Sequence, residues 1–148
     1  YHRGTYVDLS DDAETIAFLM RGRIVRMGAY GDPAMITTDA WRMVLHGSDG
    51  RTGYSHQWRE AWAQELREYV MASVESAAEQ DIARAMGWRT FRVRTETEPL
   101  ESNEFPCPAS PEGGERMQCI DCQACDGGRA GKASATIIVH GAMARHFA

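Results

Sequence analysis

Four cysteines, Cys107, Cys119, Cys122 and Cys125, stand within nineteen residues of one another. Eleven residues separate the first from the second, and two separate each later pair. Thiolates are soft ligands that suit zinc and iron. The C-x2-C-x2-C run puts three sulfurs into one seven-residue turn. Such a turn suits three corners of a 4Fe-4S cubane, with the more distant Cys107 on the fourth iron. Structural zinc also takes four thiolates in a tetrahedron, but its sites ordinarily offer two separated C-x2-C knuckles. Disulfides would close very short loops, and nothing near the start of the chain marks export. An iron–sulfur cluster is the first expectation and Zn2+ the alternative.

The surrounding segment agrees with ordering by a metal. Residues 99–133 read as loop and hold four of the five prolines. Pro111 to Gln118 and Asp126 to Lys132 carry few large apolar side chains, so metal binding would couple to their folding. Peptide N–H groups of Gly113, Gly114, Gly127 and Gly128 are candidates to bond the sulfurs. Arg116, Arg129 and Lys132 stand near the cysteines, and in a zinc-ordered binding module they would contact phosphates.

The elements that must position these groups alternate between strand-like and helix-like. Ser10-Asp-Asp precedes a helix over Ala13 to Met20, with acids favouring its N-terminus. Arg23 to Gly28 reads as a strand and Tyr30 to Pro33 as a turn. A helix from about Thr38 sets Trp41, Val44 and Leu45 on one face and stops at Gly47. Strands are expected over Arg51 to His56, Tyr69 to Ser73 and Arg89 to Arg94. Trp62 and Leu66 mark a short helix. Ser76 to Glu79 forms a capping box for another, which Gly87 ends. A short run at Glu104 to Phe105 and an apolar run at Thr136 to Val139 complete the pattern. The fold class is α/β with parallel strands, as an open sheet or a partial (β/α) barrel, because a full eight-stranded barrel needs about 250 residues.

Both architectures place function at the carboxyl ends of the strands. Asp32, His56 and Arg94 fall there and are the candidate catalytic residues: Asp32 and His56 to position substrate or move protons, Arg94 to hold an anion. The competing readings are a turn-forming Asp32, a packed His56 and a salt-bridged Arg94. Arg92 shares the strand face of Arg94. Ser73 lacks a nucleophile-elbow surround and reads as a helix-entry residue. His140 ends the last strand. His2, His46 and His146 read as surface residues, and most Met and Trp as packing.

The 148 residues are 43% hydrophobic and 25% charged, which excludes a disordered or collagen-like chain and indicates one α/β domain over 1–148. The net charge of −5 argues against a whole-surface nucleic-acid footprint but leaves a local one open. No window is apolar and long enough for a membrane span, and residues 1–12 lack an apolar signal core. The chain starts at Tyr1, so a C-terminal fragment of a longer protein is one expectation.

The blocks Arg26-Met-Gly-Ala-Tyr-Gly-Asp-Pro33, Thr52-Gly-Tyr-Ser-His-Gln-Trp58, Gly87-Trp-Arg-Thr-Phe-Arg-Val-Arg94, Cys107-Pro-Ala-Ser110, the cysteine triplet and Val139-His-Gly141 occur in this order. Together they resemble a family of uncharacterised proteins encoded by bacteriophages, prophages and plasmids. The likeness covers nearly the whole chain. It implies a mobile-element protein working in the cytoplasm of a bacterial host, on a small molecule or a macromolecule. Longer members are similar to radical S-adenosylmethionine enzymes in their βα succession, with a further cysteine cluster near the N-terminus. This chain has no cysteine before Cys107 and so no C-x3-C-x2-C motif.

Overall fold

The computed structural model describes residues 7–129 and 131–141, together with Ala144 and Phe147. His2 and His146 lie outside the described residues. Six strands, β1 (Ile24–Met27), β2 (Gly50–Ser55), β3 (Met71–Val74), β4 (Thr90–Arg94), β5 (Glu104–Pro106) and β6 (Ser134–Ile138), form one sheet in the order β1-β2-β3-β4-β6-β5. Every neighbouring pair is parallel. The sheet is open, with β1 and β5 as its edges, so of the two architectures expected the open one is found.

Helix α1 (Ala13–Met20) precedes the first strand, and further helical segments connect the strands that follow. Helix α1 is capped by Asp12, whose carboxylate accepts the Thr15 N–H at 3.0 Å. Helix α2 (Thr38–His46) starts at Thr37 and stops at Gly47. A 3-10 segment over Ala61–Glu68 precedes β3, and helix α3 (Ala77–Ala85) follows it. The Ser76 hydroxyl caps α3, accepting the Glu79 N–H at 3.2 Å. Glu79 reaches back to the N–H of Glu75, one residue before the cap the box predicts. A single turn, α4 (Cys119–Cys122), lies within the cysteine segment.

The two faces of the sheet are covered differently. Side chains alternate along each strand, so Ala72 and Val74 point to one face and Met71 to the other. The first face packs Met27, Ala72 and Val74 against Trp58, Leu66, Ala83 and Trp88, with α2 contributing Trp41 and Leu45. Three of the four tryptophans tie indole N–H groups into this layer: Trp41 to Pro33 O, Trp58 to Ser73 O and Trp88 to Gln64 Oε1, at 2.8–3.0 Å. Trp62 is exposed. The second face carries Met71, Phe91 and Ala135, flanked by Tyr54, Val93, Phe105 and Ile137. A parallel sheet needs both faces covered. Here the cysteine segment covers the second one, with Cys125 packed on its apolar cluster. No helix among the described residues is long and apolar enough to cross a membrane.

Candidate metal centre and strand-end residues

Cys107 begins the turn that leaves β5. Its N–H donates to Thr136 O at 2.8 Å, which fixes the turn to β6. Its carbonyl accepts the Ser110 N–H at 2.9 Å and the Ser110 hydroxyl at 2.7 Å. The C-P-A-S block is thus a closed loop. Gly113 packs so closely that a Cβ there would overlap Cys107 O.

The triplet is shaped by one helical turn and one left-handed residue. Cys119 and Cys122 occupy positions three apart on α4, which puts both on one side of the turn. Gln123 then takes φ 48°, reversing the chain. The reversal lays Ala124 and Cys125 on the sheet, where the Gly53 N–H donates to Cys125 O at 2.9 Å. Arg89, at the start of β4, holds the same segment. Its guanidinium donates to Ala124 O at 3.0 Å, to Ala133 O at 2.8 Å, and to Asp126 O.

All four cysteines line one cavity of about 310 Å³. Its floor is the second face of the sheet: Tyr54 and Phe91, stacked with ring centroids 5.0 Å apart, with Ala135 and Ile137. Arg26 and His140 complete the wall, and no Asp or Glu side chain lines it. Burial pushes the Cys107 thiol up, against the Ala109 N–H, and charge on Cys119 and Cys122 adds to the rise. Burial pushes Cys125 up to about 12; charge on the other three sulfurs adds to this and Arg89 opposes it. Cys107 and Cys125 therefore resist ionising unless a cation sits beside them. In donor chemistry they fit a thiolate-bound metal centre. Among the described residues, however, no three His, Cys, Asp or Glu side chains are gathered as they would be around one metal ion.

Two expectations change here. The cavity lies over the middle of the sheet, reached by Thr52, Phe91 and Ala135, and not only at the strand-end rim. The N–H groups of Gly113, Gly114 and Gly128 do not bond sulfur; they donate to Ser110 Oγ, Pro111 O and Asp126 Oδ1, closing tight turns. Of the basic residues nearby, Arg116 donates to Gly113 O at 2.8 Å, and Arg129 approaches Asp126 at 3.6 Å.

Asp32 and His56 are brought together at the carboxyl ends of β1 and β2. Asp32 Oδ1 accepts from the Ala34 N–H at 2.9 Å and the Ser55 hydroxyl at 2.7 Å, and Oδ2 accepts the His56 N–H at 2.7 Å. Asp32 knots the two strand-end loops, a heavier structural duty than a turn residue carries. The His56 ring stands 3.7 Å from Asp32 and is largely exposed. It meets Tyr54 edge-on at 6.4 Å, so an aromatic row runs from the rim to the cavity floor.

Arg94 is separate from this pair. It is buried, and pairs with Glu112 while donating to Thr95 O and Glu98 O. In place of a free anion site the structure supplies a carboxylate from the cysteine segment. Arg92 is likewise buried and binds Glu104 through two bonds of 2.9 and 2.7 Å. Gln80 joins them, donating to Glu104 at 2.6 Å and to Thr90 at 3.1 Å. Burial alone would raise the Glu104 carboxyl; bonds from Arg92, the Glu101 N–H and Gln80 outweigh it and hold the group below its ordinary value.

Residue type alone does not single out Arg89, Gly53 or Arg26, whose roles come from contacts far along the chain. Glycine at 127 is a faint signal: a Cβ there would overlap the carbonyl oxygens of Arg67 and Val70. Compared with protein-family models, with curated proteins and with solved structures, the chain matches none.

Proposed function

We propose that this protein is a metal protein that holds a 4Fe-4S cluster on Cys107, Cys119, Cys122 and Cys125, over the second face of its parallel sheet. One observation carries the reading: four thiols separated by up to eighteen positions in sequence line a single cavity. What favours a cluster over Zn2+ is the spacing: three of the four cysteines share one seven-residue turn, where structural zinc ordinarily takes two separated C-x2-C knuckles.

Four cysteines would occupy all four iron corners, leaving none open to bind substrate. The role we infer is electron transfer to or from a neighbouring ligand, or ordering of the segment itself. Within this reading His56, oriented by Asp32, is the residue free to exchange protons at the rim. Arg94 acts through Glu112, fastening the segment that carries the cluster. The resemblance of the sequence blocks supports a mobile-element setting in a bacterial host.

Protein purified without oxygen is expected to be brown and to carry about four irons and four acid-labile sulfides per chain. A colourless protein with one zinc per chain would replace this reading with that of a zinc-stabilised binding module.

A further inference from the structure

Arg26 is an exposed arginine on edge strand β1. Arg51, Arg59, Arg92 and Arg94 each pair with a carboxylate. Arg26 makes no ion pair among the described residues, although 21 of the chain's residues are acidic. On edge strand β1, Val25 and Met27 pack toward the helical layer, so alternation turns Arg26 to the cysteine side.

Arg26 also lines a second hollow, of about 420 Å³, just beyond the carboxyl end of β1. It is thus the shared wall between the cysteine cavity and that hollow. The hollow is mostly apolar, with Tyr30, Pro33, Met35, Ile36 and Trp41 around it. Tyr30 is fully exposed and Met35 is 74% exposed, a cost in water that a ligand would remove. Its single acidic residue, Asp32, is already committed to the donors of Ala34, Ser55 and His56. A mostly apolar hollow with one uncommitted cation, at the carboxyl end of a parallel strand, has the composition of a small-molecule site.

We infer that this hollow binds a small organic anion, with an apolar body against Met35, Ile36 and Tyr30 and one carboxylate or phosphate on the Arg26 guanidinium. A planar guanidinium offers paired N–H donors to either group. The inference rests on the metal-centre reading only for what the ligand would face across Arg26. The binding itself follows from the hollow.

The test is ligand-observed saturation-transfer NMR on the protein purified without oxygen, with benzoate, phenyl phosphate and neutral benzamide as probes. At least one anion is expected to bind about tenfold more tightly than benzamide, and the tighter one identifies the head group. Arg26→Gln should weaken that anion about tenfold and leave benzamide unchanged, while Arg26→Lys should keep most of the affinity. Equal binding of anions and benzamide, no binding of either anion, or an unaltered anion affinity in Arg26→Gln would overturn the inference. Iron is measured on the same samples. Loss of discrimination with iron retained removes this inference alone, and discrimination without iron removes the cluster alone.

Discussion

Gly53 donates its peptide N–H to the carbonyl of Cys125 at 2.9 Å, fastening the last cysteine of the triplet to β2. Position 53 itself has room only for glycine: a Cβ there would come within 2.8 Å of Met27 O and 2.9 Å of the Val70 side chain. From below, Arg89 takes the carbonyls on both sides of Cys125. A segment poor in apolar residues is thus held on the sheet by hydrogen bonds from residues more than thirty positions away.

Arg89 holds three half-buried carbonyls, so its loss removes a donor from each. Arg89→Met is expected to lower stability by about 1–3 kcal/mol and to speed iron loss to a chelator, with Arg89→Lys intermediate because one ammonium cannot span the three. Urea midpoints and iron retention over time check this.

Gly127 sits against the backbone of residues 67–70. Gly127→Ala must push the segment away from the turn that leads into β3, at a cost of about 1–3 kcal/mol. Its signature is loss of metal from a chain whose sheet remains folded, read by iron content beside circular dichroism. Gly131, with open space around its Cβ position but φ +76°, should accept alanine with only the strain of its backbone angle.

The Glu104–Arg92 pair sets an acid limit. Glu104 is held below the ordinary value of 4.5. A depressed carboxyl contributes stability that is present above its unfolded value and is lost as pH falls through the folded one. Stability should therefore drop below about pH 4.5. Glu104→Gln should flatten that drop while costing about 3–5 kcal/mol at neutral pH, because Arg92 would keep a buried charge with a weaker partner. Denaturant unfolding across pH 3–7, a range of about four units around the carboxyl value, separates the two effects.

The α/β class was legible because the helices outside the cysteine segment announce themselves locally, whereas α4 falls in residues that read as loop. Ser76 caps α3, Thr37 caps α2, Gly47 and Gly87 end them, and the apolar runs between read as strands within one or two residues. The shared face of Arg92 and Arg94 follows from strand alternation. Their partners do not, since Glu104 and Glu112 lie 12 and 18 positions onward and only packing selects them. The cysteine spacing pointed to a common centre, and the structure lines one cavity with all four. Its place over the middle of the sheet was not legible, because Arg89 and Gly53 set it through contacts that leave no local pattern. The same limit applies to Asp32: its turn position was visible, but its bonds to Ser55 and His56 join two different loops.

Metal removal should loosen the segment and leave the sheet intact. The helical face has its own apolar layer, whereas residues 108–129 rest on turns and hydrogen bonds. Chelation is expected to open cleavage at Arg116 by trypsin while the strands stay protected. Mass spectrometry of the fragments reads this directly; unchanged protection after metal removal would place the ordering elsewhere.

The most direct measurement is iron per chain in the four single variants Cys107→Ala, Cys119→Ala, Cys122→Ala and Cys125→Ala, purified without oxygen beside the wild type. A shared centre predicts that wild type carries about four irons and that every variant falls to a minority of that content. Wild-type iron in any one of the four, Cys107→Ala above all, would contradict a single centre built from all of them.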